Sequence, residues 1–142
     1  MTKSLLEQYI ESNHFGRTVG MDFQIIEPGE VVYKLKITEK HLATPLAAHG
    51  GCLSALMDAT MGVGALSVVE KDFLVVSTIE MKVSFLEAVL NQDELTAKSI
   101  IVRKGRKLIF AEAEVRNQTN NLVSKGSGTF LVVDGLKAGY QK

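Results

Sequence analysis

Apolar residues recur along the chain with two different periods, and the switches between them mark out the elements. Over residues 4–13, Leu5, Leu6, Tyr9 and Ile10 fall at helical intervals, and Ser4 followed three residues later by Glu7 is the pairing of a capping box. A short amphipathic helix is expected there. From Val31 to Thr38 the odd positions Val31, Tyr33, Leu35 and Ile37 are apolar while Lys34, Lys36 and Thr38 are polar, the two-residue period of a half-buried strand. Pro28-Gly29 just upstream suits a turn. The stretch from Gly50 to Val69 breaks the alternation: it is too long for one strand, rich in Leu, Met and Ala, and reads as the one long helix. Gly62 and Gly64 inside it lower helicity by up to about 1 kcal/mol each, a cost that predicts another backbone packed close against it. The alternation then returns. Ile79, Met81, Val83 and Phe85 alternate with Glu80, Lys82 and Ser84; a second run covers about 93–103; a third sets Ile109, Ala111, Ala113 and Val115 against Glu112, Glu114 and Arg116; a last one covers about 122–133. Gly105 and Asn120-Asn121 sit at the hairpin turns between them.

This order, a strand, one long helix and then a four-strand meander, lacks the crossover helices that successive parallel strands require. It predicts an α+β fold in which a curved antiparallel sheet wraps one central helix, with a short helix leading in. No linker, repeat or low-complexity tract divides the sequence, so residues 1–142 are expected to form one domain.

Composition narrows the partners. Sixteen basic and sixteen acidic residues give a net charge of zero, which offers no field to attract a polyanionic backbone and argues against nucleic acid. The opening Met1 to Tyr9 carries acidic and polar residues where a secretory leader needs an apolar run, so a cytoplasmic location is expected. The most apolar region matches a membrane span in length, but Asp58 within it is costly at bilayer depth and points to a buried core helix. One cysteine, Cys52, cannot form an intramolecular disulfide, and no Cys, His or carboxylate cluster has the spacing of a zinc site, so no metal is expected.

Four features could carry chemistry. His49-Gly50-Gly51 stands directly before the long helix, whose first amides are unpaired and favour negative charge. The Gly50 N–H could hold an oxyanion there, or the two glycines could simply make a tight turn. Asp58 lies among Ala55, Met57, Ala59, Met61 and Gly62, where a carboxylate needs a partner or a purpose. It could face solvent, be satisfied by a hydroxyl such as Ser54, or line a pocket as nucleophile or general base. His49 and Cys52 are three residues apart, yet the small apolar neighbours of Cys52 make packing its better role, and His14 and His41 read as ordinary surface or loop residues. Arg103-Lys104-Gly105-Arg106-Lys107 places four cations in one turn, a solvated loop or a clamp for phosphates.

Taken together, His49-Gly50-Gly51, Asp58 in Leu56-Met57-Asp58, the strand Ser77 to Phe85, Val102 to Arg106 and Gly126-Ser127-Gly128-Thr129-Phe130 resemble the hotdog-fold acyl-CoA thioesterases of the phenylacetate-degradation type, over about residues 15–133. The resemblance implies hydrolysis of an acyl-CoA with no cofactor, in a homodimer or homotetramer whose active sites lie at a subunit interface. It implies that Asp58 is nucleophile or general base, Gly50 the oxyanion donor and His49 a residue shaping the site. It gives Thr78 a water-orienting hydroxyl, with Ser77 the adjacent option, and sets Gly51 and the Arg103, Lys104, Gly105 and Arg106 turn against the substrate. One departure stands out: many relatives carry an amide side chain about six residues before the histidine, where this chain has Ala43, then Thr44. That departure supports an alternative, a non-catalytic acyl-CoA-binding module using the same cleft.

Overall fold

The computed structural model describes residues 2–142. Helix α1, Leu5–Ser12, starts on the expected capping box: the Ser4 hydroxyl accepts from the Glu7 N–H at 3.1 Å and the Glu7 carboxylate accepts from the Ser4 N–H at 2.7 Å. A second, unexpected helix, α2, His14–Val19, follows; Asn13 caps its start and Gly20, in the left-handed region at φ 89°, ends it. Strands β1, Asp22–Glu27, and β2, Glu30–Lys36, form a hairpin through Pro28-Gly29. A 3-10 turn at Glu39–His41 leads toward the long helix α3, Gly50–Ser67. Strands β3, Leu74–Phe85, β4, Glu94–Lys104, β5, Leu108–Arg116, and β6, Leu122–Asp134, complete the chain.

All five strand pairings are antiparallel and give one six-stranded sheet in the order β1-β2-β4-β5-β6-β3. The expected four-strand meander is therefore corrected. Only β4, β5 and β6 run as neighbours, while β3 crosses to the far edge and pairs with β6, with Thr78 opposite Phe130 and Met81 opposite Gly128. Strand β1 is a further element that the hydrophobic pattern does not predict.

The sheet curls around α3 as expected. Leu53, Leu56, Met57, Met61, Val63 and Leu66 of the helix are all buried, so its apolar surface runs round most of it, the mark of a helix enclosed by its own fold. The inner face of the sheet answers with Tyr33, Leu95, Ile109, Val115, Val123 and Phe130. Each large side chain wholly removed from water stabilises the fold by about 1.5–3 kcal/mol before entropy is counted. Close approach explains one of the two helix glycines: a Cβ on Gly64 would lie 2.6 Å from the Ser99 hydroxyl and 3.4 Å from the Gly29 carbonyl. Gly62 differs, since its nearest neighbour is the Phe130 ring at 3.5 Å.

Candidate active site

The start of α3 is built around His49. This residue is the N-cap, in extended backbone, and its Nδ1 accepts the Gly51 N–H at 2.7 Å. The ring folds over Gly51 so closely that a Cβ there would sit 2.9 Å from Nδ1, which accounts for the second glycine. The Cys52 N–H donates to the His49 carbonyl at 2.9 Å. Two of the helix's first amides are thus committed, including that of Gly51, so Gly51 serves the cap rather than a ligand. The Gly50 N–H has no partner among the described residues and lies exposed. With Nδ1 accepting, the neutral His49 ring carries its proton on Nε2.

The cap is braced from below by a residue that the sequence did not distinguish. His41, read as an ordinary surface or loop histidine, is buried, with both ring nitrogens engaged. Its Nδ1 accepts the Thr38 N–H at 2.9 Å and its Nε2 donates to the Val19 carbonyl at 2.6 Å. The His41 carbonyl in turn accepts the His49 N–H at 2.8 Å. His14 is exposed, as expected, beside Arg17.

Asp58 lies eight residues after Gly50 on the same helix, about 12 Å away at 1.5 Å per residue. Its Oδ1 accepts the Thr78 hydroxyl at 2.7 Å. The hydroxyl that satisfies it therefore comes from β3 and not from Ser54. No cation pairs with the carboxylate among the described residues. Asp58 and Thr78 open on a hollow of about 300 Å³ walled by Ala59, Gly62, Val76 and Phe130. Phenols lie near it. Burial pushes the Tyr9 hydroxyl above its ordinary range, with Tyr140 and Asp58 adding smaller effects in the same direction. Burial also raises Tyr33, to which the Tyr9 phenol and the Asp58 charge contribute, and the enclosed Tyr33 hydroxyl makes no geometric hydrogen bond although Tyr9 lies close enough to influence it. Both phenols are therefore held in the protonated form.

Gly50 faces a different hollow, of about 330 Å³, with Ala48, Leu53, Phe85 and Val89. A single chain therefore does not bring the Gly50 amide and Asp58 together. Of the two adjacent hydroxyls, both exposed, Thr78 reaches Asp58 while Ser77, opposite Leu131, falls on the other side of the pleat. The cations of the 103–107 turn are exposed and line neither hollow. They do share a level of the sheet with Thr78: Thr78 pairs with Phe130, Phe130 with Ile109 and Ile109 with Lys104, three strand spacings or about 14 Å. Gly105 is required by the turn itself, where a Cβ would meet the Leu108 carbonyl at 2.8 Å. Cys52 is half-buried and burial pushes its thiol up, which suits packing over nucleophilic use. Thr44, next to Ala43, is tied into its own loop by accepting from the Leu46 and Ala47 N–H groups at 3.3 and 2.9 Å. Among the described residues no group of three or more His, Cys, Asp or Glu side chains could hold a metal ion, and no helix is long and apolar enough to cross a membrane.

The family model of the thioesterase superfamily matches residues 47–124, a span that takes in His49, Gly50, Asp58 and Thr78. The chain belongs to the thioesterase superfamily. Among members of that superfamily and related structures, it is similar to acyl-coenzyme A thioesterase 13 of Homo sapiens, with 25% identity over 134 residues that cover 91% of this chain and 94% of the relative. It is similar to a hypothetical thioesterase of Streptococcus pneumoniae solved with coenzyme A, at 26% identity and TM-score 0.79, covering 88% of this chain and 97% of that one. The PaaI protein of the E. coli phenylacetic acid degradation operon matches at TM-score 0.84 and 22% identity, covering 92% and 91% of the two chains. That likeness establishes the hotdog fold expected from the sequence.

Proposed function

We propose that this protein hydrolyses an acyl-CoA thioester to a free carboxylic acid and coenzyme A. The observation that carries the reading is the Asp58–Thr78 pair: a carboxylate with no cation partner, held at 2.7 Å by one hydroxyl, at the mouth of an apolar hollow. Asp58 either attacks the thioester carbonyl carbon or takes a proton from the water that does. In both routes the carbon–sulfur bond breaks, water supplies the new oxygen and coenzyme A leaves as the thiol. Thr78 fixes the carboxylate and helps orient the water. The Gly50 N–H, left free at the positive end of α3, is the donor for the oxyanion, and His49 sets its position through the cap.

The 12 Å between Gly50 and Asp58 is too great for one carbonyl to meet both, so the reading includes a homodimer in which one chain supplies the carboxylate and the other the amide. Strand β3 supports this. It is a long free edge whose exposed Ile79 sits in an irregularity of the pairing with β6, and an uncovered edge of that kind is a template for a second chain. Two such dimers pair again into a homotetramer in this reading. Arg103, Lys104 and Arg106 lie at a distance that suits the phosphates of the coenzyme, the ligand seen with the Streptococcus pneumoniae relative. Purified protein assayed with short, medium, long and aryl acyl-CoAs should release coenzyme A, and Asp58→Asn and Asp58→Ala should lose on the order of 10²–10⁴-fold in kcat. Full activity in both variants would remove Asp58 from the mechanism; binding without turnover across the panel would favour a binding module.

A further inference from the structure

The inner end of the Asp58 hollow is closed by segments outside the sheet. From Asp58 the hollow follows α3 past Ala59 and Gly62 to Leu66, about 12 Å of helix. There it meets Tyr9 of α1 and Tyr140, from the segment after β6. Both rings pack against a small buried cluster of Leu5, Leu66 and Val75. Tyr9 is further backed by an aromatic row, 6.3 Å from Phe23, which is 5.2 Å from Tyr33. The two segments are fastened to each other: the Gln8 side chain donates to the Gln141 carbonyl at 2.7 Å and accepts from the Gln141 N–H at 2.9 Å. One amide side chain thereby pairs with both polar groups of a backbone unit, in the manner of a strand.

We propose that Tyr9 and Tyr140, held by the Gln8–Gln141 pairing, form the stop that sets the length of the acyl group. The inference rests on the thioesterase reading of Asp58 and goes beyond it by naming the substrate class. A hollow of about 300 Å³ has room for on the order of ten non-hydrogen atoms at the ~30 Å³ that a water occupies. That suits a short or medium straight chain or a single aromatic ring better than a long fatty acyl group. The walls along the way, Gly62, Val76 and Phe130, are apolar, as an acyl chain requires.

The test is the ratio of kcat/KM across a series from acetyl-CoA to palmitoyl-CoA with benzoyl-CoA added. The wild type should favour the short and medium members. Tyr9→Ala and Tyr140→Ala should each raise palmitoyl relative to hexanoyl by on the order of tenfold, while Tyr140→Phe, which keeps the ring, should leave the profile unchanged. Gln8→Ala, which removes the pairing and keeps both rings, should shift it in the same direction by loosening the stop. Gly62→Val should shift it the other way, since its Cβ would take ordinary contact with Phe130 at 3.5 Å and its methyls would fill the channel. An unchanged profile in Tyr9→Ala, Tyr140→Ala and Gly62→Val, with hydrolysis intact, would overturn the stop and leave the thioesterase reading standing. Should the tyrosine variants not fold, Gln8→Ala and Gly62→Val decide alone. If the wild type hydrolyses no ester, the proposed activity fails, and the same series read as binding by calorimetry on Asp58→Asn still decides the stop.

Discussion

Two hollows flank α3, of about 330 Å³ at Gly50 and about 300 Å³ at Asp58, and they hold opposite halves of one chemistry. The first offers a free amide at a helix start, the place where negative charge is stabilised, and does not contain Asp58. The second offers a carboxylate with a bound hydroxyl and has no free backbone amide of a helix start. Each holds only one of the two groups. Nearness in sequence therefore misleads here, since eight residues of helix separate groups that one carbonyl must touch together. In the proposed homodimer a second copy would complete each site, the amide hollow of one chain meeting the carboxylate hollow of the other.

After the loss of Asp58 itself, the largest expected effect is on the amide side. Gly50 is the first residue of α3, where proline is well tolerated, and His49 before it already has the extended backbone that proline demands. Gly50→Pro thus deletes the one free N–H while leaving the helix in place, and should lower kcat on the order of 10²–10³-fold with little change in thermal stability. Mixing this variant with Asp58→Asn sharpens the comparison. If each site takes Asp58 from one chain and Gly50 from another, half of the sites in the mixed dimer are whole, and activity should return when subunits exchange. No recovery in verified mixed dimers would place both groups in one chain's site.

A smaller effect is expected at Thr78. Thr78→Val removes the hydroxyl bonded to Asp58 at nearly constant shape and should cost roughly tenfold in kcat, at the low end of what a positioned proton-transfer group contributes, with Thr78→Ser restoring most of it. Ser77→Ala, on the outer face of the same strand, is the internal control and should leave the rate unchanged.

The parts of this arrangement that were legible in the sequence are those written in residue type and local spacing. The capping box at Ser4 and Glu7, the enclosed helix from Gly50 and the alternation from β4 to β6 all rest on neighbours a few residues apart, and their bounds fall within about two residues of the observed ones. What was missed depends on distant pairing or on weak local signal. Strand β1 packs only partly, and Ile25-Ile26 breaks its alternation. Helix α2 is a single short segment with Gly16 in it. The move of β3 to the far edge is a choice of partner that no two-residue period encodes. His41 was invisible for a related reason: its ring is satisfied by the backbone of Thr38 and Val19, and backbone groups leave no trace in a pattern of side chains. At the site, Asp58 and the glycines showed as oddities of composition, whereas the separation of the two hollows emerged only from geometry.

The smallest effect separates structure from chemistry at His49. Its Nδ1 accepts the Gly51 N–H, a role that an asparagine side chain can fill and an alanine cannot. His49→Ala should therefore lose about 1 kcal/mol of stability by thermal or urea unfolding, and His49→Asn should recover most of it. The rates of the same two variants then say what else the ring does. A rate that recovers with the cap in His49→Asn means that the histidine acts only by holding the Gly50 amide in place. A rate that stays low in a fully stable His49→Asn means that the ring itself, with its proton on Nε2, touches the substrate, and the amide hollow would then contribute a side chain as well as a backbone donor.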